Sequence, residues 1–311
     1  MFDYDFMVNA FEAATIVAVI ASIVGYFLVL RGQIFAGHAL SHVGFAGATG
    51  AVLIGAPPMA GLLLATVVAG AGMGLLGERL DNRDVAIGIV LAASLGLGLL
   101  FLHFFTAYAS QATALLFGNV LGVDDETVIA LLVLSLATLG ALAFISRPLL
   151  FATLQPELAE AKGVSLRRIS VVFLIIVAAA TVASVQIVGI LLVFTLMVAP
   201  AAAAQRLTIR LWLGLLLAVV LALLEAWLGL TLAFYTDWPT SFWITALGGI
   251  IYMLAHLSLL RGGSDAKTHD EHIHHEHRLG ALPGSPSQEG LSEFARTPAQ
   301  AGGLSGLSHD R

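Results

Sequence analysis

Residues 169–204 run for 36 positions without one charged side chain. No other feature constrains the fold as tightly. As a single helix, the run would extend about 54 Å at about 1.5 Å per residue. A bilayer core is about 30 Å thick and is crossed by about 20 apolar residues. The run is therefore too long for one span. It reads as two spans joined by a tight turn, expected near Ser184 and Gln186.

The same measure applied along the chain finds further candidate spans at 13–30, 33–56, 58–77, 85–106, 128–146, 211–234 and 240–260. Segment 33–56 is rich in Gly and His and reads as a full span or a partly re-entrant one. The expected fold class is an all-α, polytopic transmembrane bundle with eight or nine spans. Composition agrees. Hydrophobic residues make up 59% and charged residues 11%, with a mean hydropathy of +0.94. Soluble domains carry roughly 25% charged residues, so this chain has too little polar surface to live in water. The acidic start "MFDYDFMVNAFEA" is not the basic start of a cleavable signal peptide. Cysteine is absent, which excludes disulfides and thiolate chemistry. A metal would need His, carboxylate or carbonyl ligands.

Charge placement predicts orientation. With the N-terminus outside and nine spans alternating, the inside loops hold Arg31, Arg79, Arg83, Arg147, Lys162, Arg167, Arg168, Arg206 and Arg210. The remaining bases lie in the tail from Arg261, and together these are all 14 Lys and Arg. The outside segments hold Asp3, Asp5, Asp124, Asp125, Glu126 and Asp237. That is the positive-inside pattern. Residues 1–261 read as the membrane domain. Residues 262–311, rich in Gly, Ser, Pro and charge, read as a disordered cytosolic tail.

An ionisable residue inside a span is a functional candidate. His103 and His256 lie near span ends, where they reach water. Glu225 lies mid-span in "LALLEAWLGL" and is expected to face the bundle interior, as a metal or proton ligand or as an interhelical contact. His38 and His42, in "GHALSHVG", share a helix face at a spacing that brings their Cβ atoms about 5–6 Å apart. Two imidazoles so placed suit one divalent transition metal. The same spacing also serves two histidines hydrogen-bonded to neighbouring helices. The tail carries His269, His272, His274, His275 and His277, a His-rich tract that reads as a metal buffer or as a solvated segment.

The chain has no G-x-x-x-x-G-K-[ST] phosphate loop and no H-E-x-x-H. It has no basic stripe suited to nucleic acid. An enzyme is not expected. One inside loop, "LQPELAEAKGVSLRRIS", reads as a short helix that starts at Pro156 and stops at Gly163. A structured helix outside the membrane invites a partner.

With these residues in place, the chain resembles the membrane permease subunit of zinc/manganese/iron-type ABC transporters. Six blocks occur in the family's order. "LVLRGQIFAGHALSHVGFAG" resembles its L-G-D-[AT]-[LI]-[SA]-H block. "RDVAIGIVLAASLGLGLLFL", "LLFGNVLGVDDETV" and "QPELAEAKGVSLRRI" follow. "VGILLVFTLMVAPAAAAQRLT" and "FYTDWPTSFWIT" complete the set. The resemblance implies a homodimer, or a pair of related permeases, in the cell membrane. Its implied partners are cytosolic ATPase subunits and an extracytoplasmic metal-binding protein. It implies a transported Zn²⁺, Mn²⁺ or Fe²⁺ rather than a permanently bound cofactor. The implied ATPase-coupling loop includes Pro156, Glu157, Leu158, Ala161, Lys162 and Gly163, and His38 and His42 fall on the translocation path. His38 stands where that pattern has Asp, which leans the pair toward zinc. Ser241 stands where its last block has Gly. The alternatives are a stand-alone secondary metal transporter and a siderophore- or vitamin-type ABC permease.

Overall fold

A computed structural model describes residues 4–76, 83–104, 116–118 and 120–258. The tail histidines and Arg79 lie outside the described residues. The helices are α1 (Asp5–Leu30), α2 (Ile34–Leu53), α3 (Pro58–Leu76), α4 (Arg83–His103), α5 (Asp125–Leu154), α6 (Pro156–Ala161), α7 (Leu166–Val188), α8 (Ile190–Leu207), α9 (Leu211–Thr236) and α10 (Thr240–Ser258). The expectation of an all-α membrane bundle holds. By length and composition, α1, α3, α5, α7, α9 and α10 are each suited to crossing a membrane, and α4 and α8 contain shorter apolar stretches. Segment 33–56, left open between span and re-entrant loop, is a continuous helix of 20 residues. That is about 30 Å long.

The uncharged run does divide in two, but later than expected. α7 continues through Ser184 and Gln186 and ends at Gly189, whose φ is 83°. The Ser184 hydroxyl donates to the Ala180 carbonyl at 2.8 Å. Its polar group is thus satisfied inside the helix, so it does not break it. A left-handed φ falls naturally to glycine, which has no Cβ to clash.

α1 and α7 form the centre, with two thirds of the most apolar window of each buried. α2 packs against α3, α4, α7 and α8, while α1 packs against α5, α7, α8 and α9. The outer helices present Phe144, Trp212, Leu64 and Ile129 outward. In water this much exposed apolar surface would be a liability; against lipid it is the expected exterior.

The helix ends sort into two sets. At the start of α1, Asn9 Nδ2 donates to Asp125 Oδ1 at 2.7 Å and to the Val123 carbonyl at 3.3 Å. At the opposite end of α1, Arg31 reaches Thr153 and Ser170. Acidic loops thus meet at one end and basic loops at the other. Asp124 caps α5 by accepting from the Thr127 amide at 3.0 Å, and Asp125 and Glu126 fill its first turn. These acids suit the positive pole of the helix dipole.

Candidate ion path and coupling segment

His38 and His42 lie one turn apart on α2, both half-buried. Their ring centroids are 4.8 Å apart, with planes at 82°. Two imidazole nitrogens about 2.1 Å from one ion, at roughly 90–109°, put ring centroids about 4.5–5.2 Å apart. The observed spacing falls inside that window without any helix rearrangement. Phe194 of α8 packs edge-on against His38 at 4.9 Å and 66°. His38 Nδ1 is buried and has no hydrogen-bond partner among the described residues. A buried polar nitrogen without a partner is costly, and a passing cation is one group that would satisfy it.

Glu225, on α9, is wholly buried, and neither carboxyl oxygen has a hydrogen-bond partner among the described residues. It lies against α10 and α8: a Cβ built on Gly248 would be 2.8 Å from Glu225 Oε1 and 2.8 Å from Thr195 Cγ2. Phe194 and Thr195 are successive residues of α8. One touches His38 and the other flanks the Glu225 pocket, so the pair and the carboxylate occupy adjacent faces of α8. Among the described residues, no cluster of three or more His, Cys, Asp or Glu forms a cation shell. Glu225 therefore does not join the histidines in one cluster.

The remaining intramembrane candidates are at helix ends. His103 is exposed at the end of α4 beside Phe104. His256 Nδ1 accepts from Arg206 Nη1 at 2.7 Å, and Arg206 Nη2 donates to the Tyr252 hydroxyl at 3.0 Å. His256 thus serves as an acceptor that ties α10 to α8.

The helix expected from "QPELAEA" is α6. Ala159 is its buried contact, within a small apolar cluster with Ala152 and Leu166. Glu157, Leu158, Glu160, Ala161 and Lys162 are exposed. Gly163, at φ 82°, ends the helix, its amide donating to the Glu160 carbonyl at 2.9 Å and that of Val164 to the Ala159 carbonyl at 2.9 Å. The result is a rigid turn with one face anchored and the other free. Sequence reasoning missed Phe194 as a wall of the pair, Thr195 and Gly248 as neighbours of Glu225, and Arg31 as more than a loop charge. Only Arg31, the one base in the α1–α2 turn, left a mark in the sequence.

Fold and polar groups together describe a multi-pass helical membrane subunit with polar side chains inside its bundle. The chain belongs to the ABC 3 transport family, which it matches over residues 3–258. The resemblance found in the sequence blocks holds at that level, and the protein is a transport subunit rather than an enzyme. It is 30% identical over 256 residues to a manganese transport system membrane protein, MntC, of Halalkalibacterium halodurans, covering 82% of this chain and 88% of that one. It is 32% identical over 265 residues to a probable metal transport system membrane protein of Treponema pallidum, covering 85% and 98%. A chelated iron transport system membrane protein, YfeC, of Yersinia pestis is 29% identical, with 91% and 96% covered. The fold matches a chain of PsaBC from Streptococcus pneumoniae, solved in complex with Fab, at a TM-score of 0.72 and 23% identity, covering 81% of this chain and 91% of that one.

Proposed function

We propose that the chain is the permease of an ATP-driven importer of a divalent first-row transition-metal ion, and that His38 and His42 ligate the ion transiently as it passes. The carrying observation is the imidazole pair at 4.8 Å, half-buried, with one nitrogen unpartnered. The relatives support the cargo class, since their names carry manganese and chelated iron. The pair has no fixed negative charge. Imidazole suits zinc and iron, whereas carboxylate suits manganese, so we assign Zn²⁺ or Fe²⁺ preference over Mn²⁺. Glu225 is a second polar station on the adjacent face of α8.

A dimer of permeases, in the cell membrane with N-termini outside, would bind ATPase subunits through the exposed face of α6. A metal-binding protein would deliver the ion at the acidic end. This arrangement is preferred over a stand-alone transporter because the family is an ABC family. The inside tail, with its five clustered histidines, would buffer arriving metal. Retention must stay weak enough for the ion to leave.

The test is uptake into proteoliposomes containing the permease, its ATPase and the binding protein, with Zn²⁺, Mn²⁺ and Fe²⁺ in competition. The double variant His38→Ala/His42→Ala should assemble and lose uptake. Wild-type uptake by that variant would overturn the ligand assignment.

A further inference from the structure

We infer that Arg31 is a positioning residue: it ties both shoulders of the α6 segment to the helix that carries the histidine pair. Arg31 Nη1 donates to Thr153 Oγ1 at 3.1 Å, and Nη2 donates to Ser170 Oγ at 2.9 Å. Thr153 lies just before α6 and Ser170 just after it, in the second turn of α7. One guanidinium thus bridges the incoming helix α5 and the outgoing helix α7 of the coupling turn. Its Cζ also lies 5.5 Å from the ring centroid of Phe173, deeper in α7. The Thr153 hydroxyl donates to the Leu149 carbonyl at 2.6 Å. That fixes its lone pairs toward Arg31.

The other side of the connection is equally stiff. Arg31 caps the C-terminus of α1, and the chain turns at once through Gly32, at φ 63°. The Gly32 amide donates to the Val29 carbonyl and the Gln33 amide to the Leu28 carbonyl, each at 3.0 Å. Those two bonds make a Schellman motif. The Gln33 carbonyl then accepts from the amides of Ala36 and Gly37, at 3.1 and 3.3 Å, which starts α2. His38 is the next residue. There is no slack loop between Arg31 and the pair, so a displacement of the α6 shoulders is delivered to the base of α2. Arg suits the task because its planar fork addresses two acceptors in fixed directions, which a lysine ammonium does not.

The inference rests on the reading of α6 as the ATPase-docking segment, and the experiment separates the two. Because the chain lacks cysteine, labels at Leu154→Cys, exposed just before α6 and outside its docking face, and at Phe35→Cys report the distance from the α6 shoulder to the base of α2 in the reconstituted complex. The same vesicles give ions transported per ATP hydrolysed. Glu157→Arg, on the exposed face of α6, tests docking: undiminished ATPase binding in that variant would overturn the docking reading. Arg31→Met should still bind the ATPase. It should move about tenfold fewer ions per ATP, within the usual range of coupling between sites. Its Leu154–Phe35 distance should no longer change on ATP binding. Thr153→Val/Ser170→Ala, which leaves the charge in place, should show the same uncoupling. Adding Arg31→Met to that pair should cost nothing more. Wild-type ions per ATP in the Thr153→Val/Ser170→Ala complex, or losses that multiply in the triple variant, would overturn the role of Arg31 while leaving docking intact.

Discussion

Glu225→Met separates what a buried carboxyl costs from what it does. Both oxygens of Glu225 are buried without a donor, and its side chain occupies a pocket whose size is fixed by Gly248 and Thr195. Leaving a buried polar group unsatisfied costs about 1–3 kcal/mol. Methionine matches the length of the side chain, so the exchange should not open a large cavity. The variant should be more stable by about that amount. At about 2–4 °C per kcal/mol for a chain of this size, the thermal midpoint should rise by about 2–12 °C. Tryptophan fluorescence in detergent reads this well, since Trp227 lies two residues along α9. Glu225→Gln is the control: it keeps the polar burden and should show little gain. A midpoint for Glu225→Met equal to or below wild type would refute the premise that the carboxyl lacks a partner. In the reconstituted importer, a stabilised Glu225→Met that loses uptake would mark the carboxyl as retained for transport. Full uptake would remove it from the ion path.

Three other outcomes follow from the same geometry. His38→Asp adds a fixed charge and an oxygen ligand, so competition uptake should shift toward Mn²⁺ over Zn²⁺; an unchanged preference would show that this position does not set ion choice. Gly248→Ala places a Cβ 2.8 Å from both Glu225 Oε1 and Thr195 Cγ2 and should destabilise by about 1–3 kcal/mol, with partial recovery when combined with Glu225→Ala. Hydrogen bonds from the Thr127 hydroxyl and amide hold the Asp124 carboxyl below its ordinary 3.8. Its contribution is therefore complete above that pH and is lost as pH falls through the lower folded value. Asp124→Asn keeps a competent cap and should flatten the acid limb of the thermal midpoint below about pH 4.

Much of this protein is written in short windows of sequence. Runs of about 20 apolar residues set the helices that cross a membrane, because each must satisfy its own backbone hydrogen bonds in lipid. The spacing of His38 and His42 put them on one face of α2, because periodicity is local. Pro156 and Gly163 bounded α6 for the same reason. Even so, local signals misplaced the α7–α8 turn, since a polar residue such as Ser184 can satisfy itself within a helix and only the backbone conformation at Gly189 breaks it.

Tertiary structure alone decided what meets what. Arg31 and its two acceptors are 122 and 139 residues apart in the chain. In sequence Arg31 was only a positive charge in a turn. Phe194 was one apolar residue among many until α8 packed beside α2. Glu225 was legible as buried, but its separation from the histidines depends on the face that α8 turns toward each. Such contacts arise from how whole helices pack against one another, and no local pattern of residue types encodes that geometry.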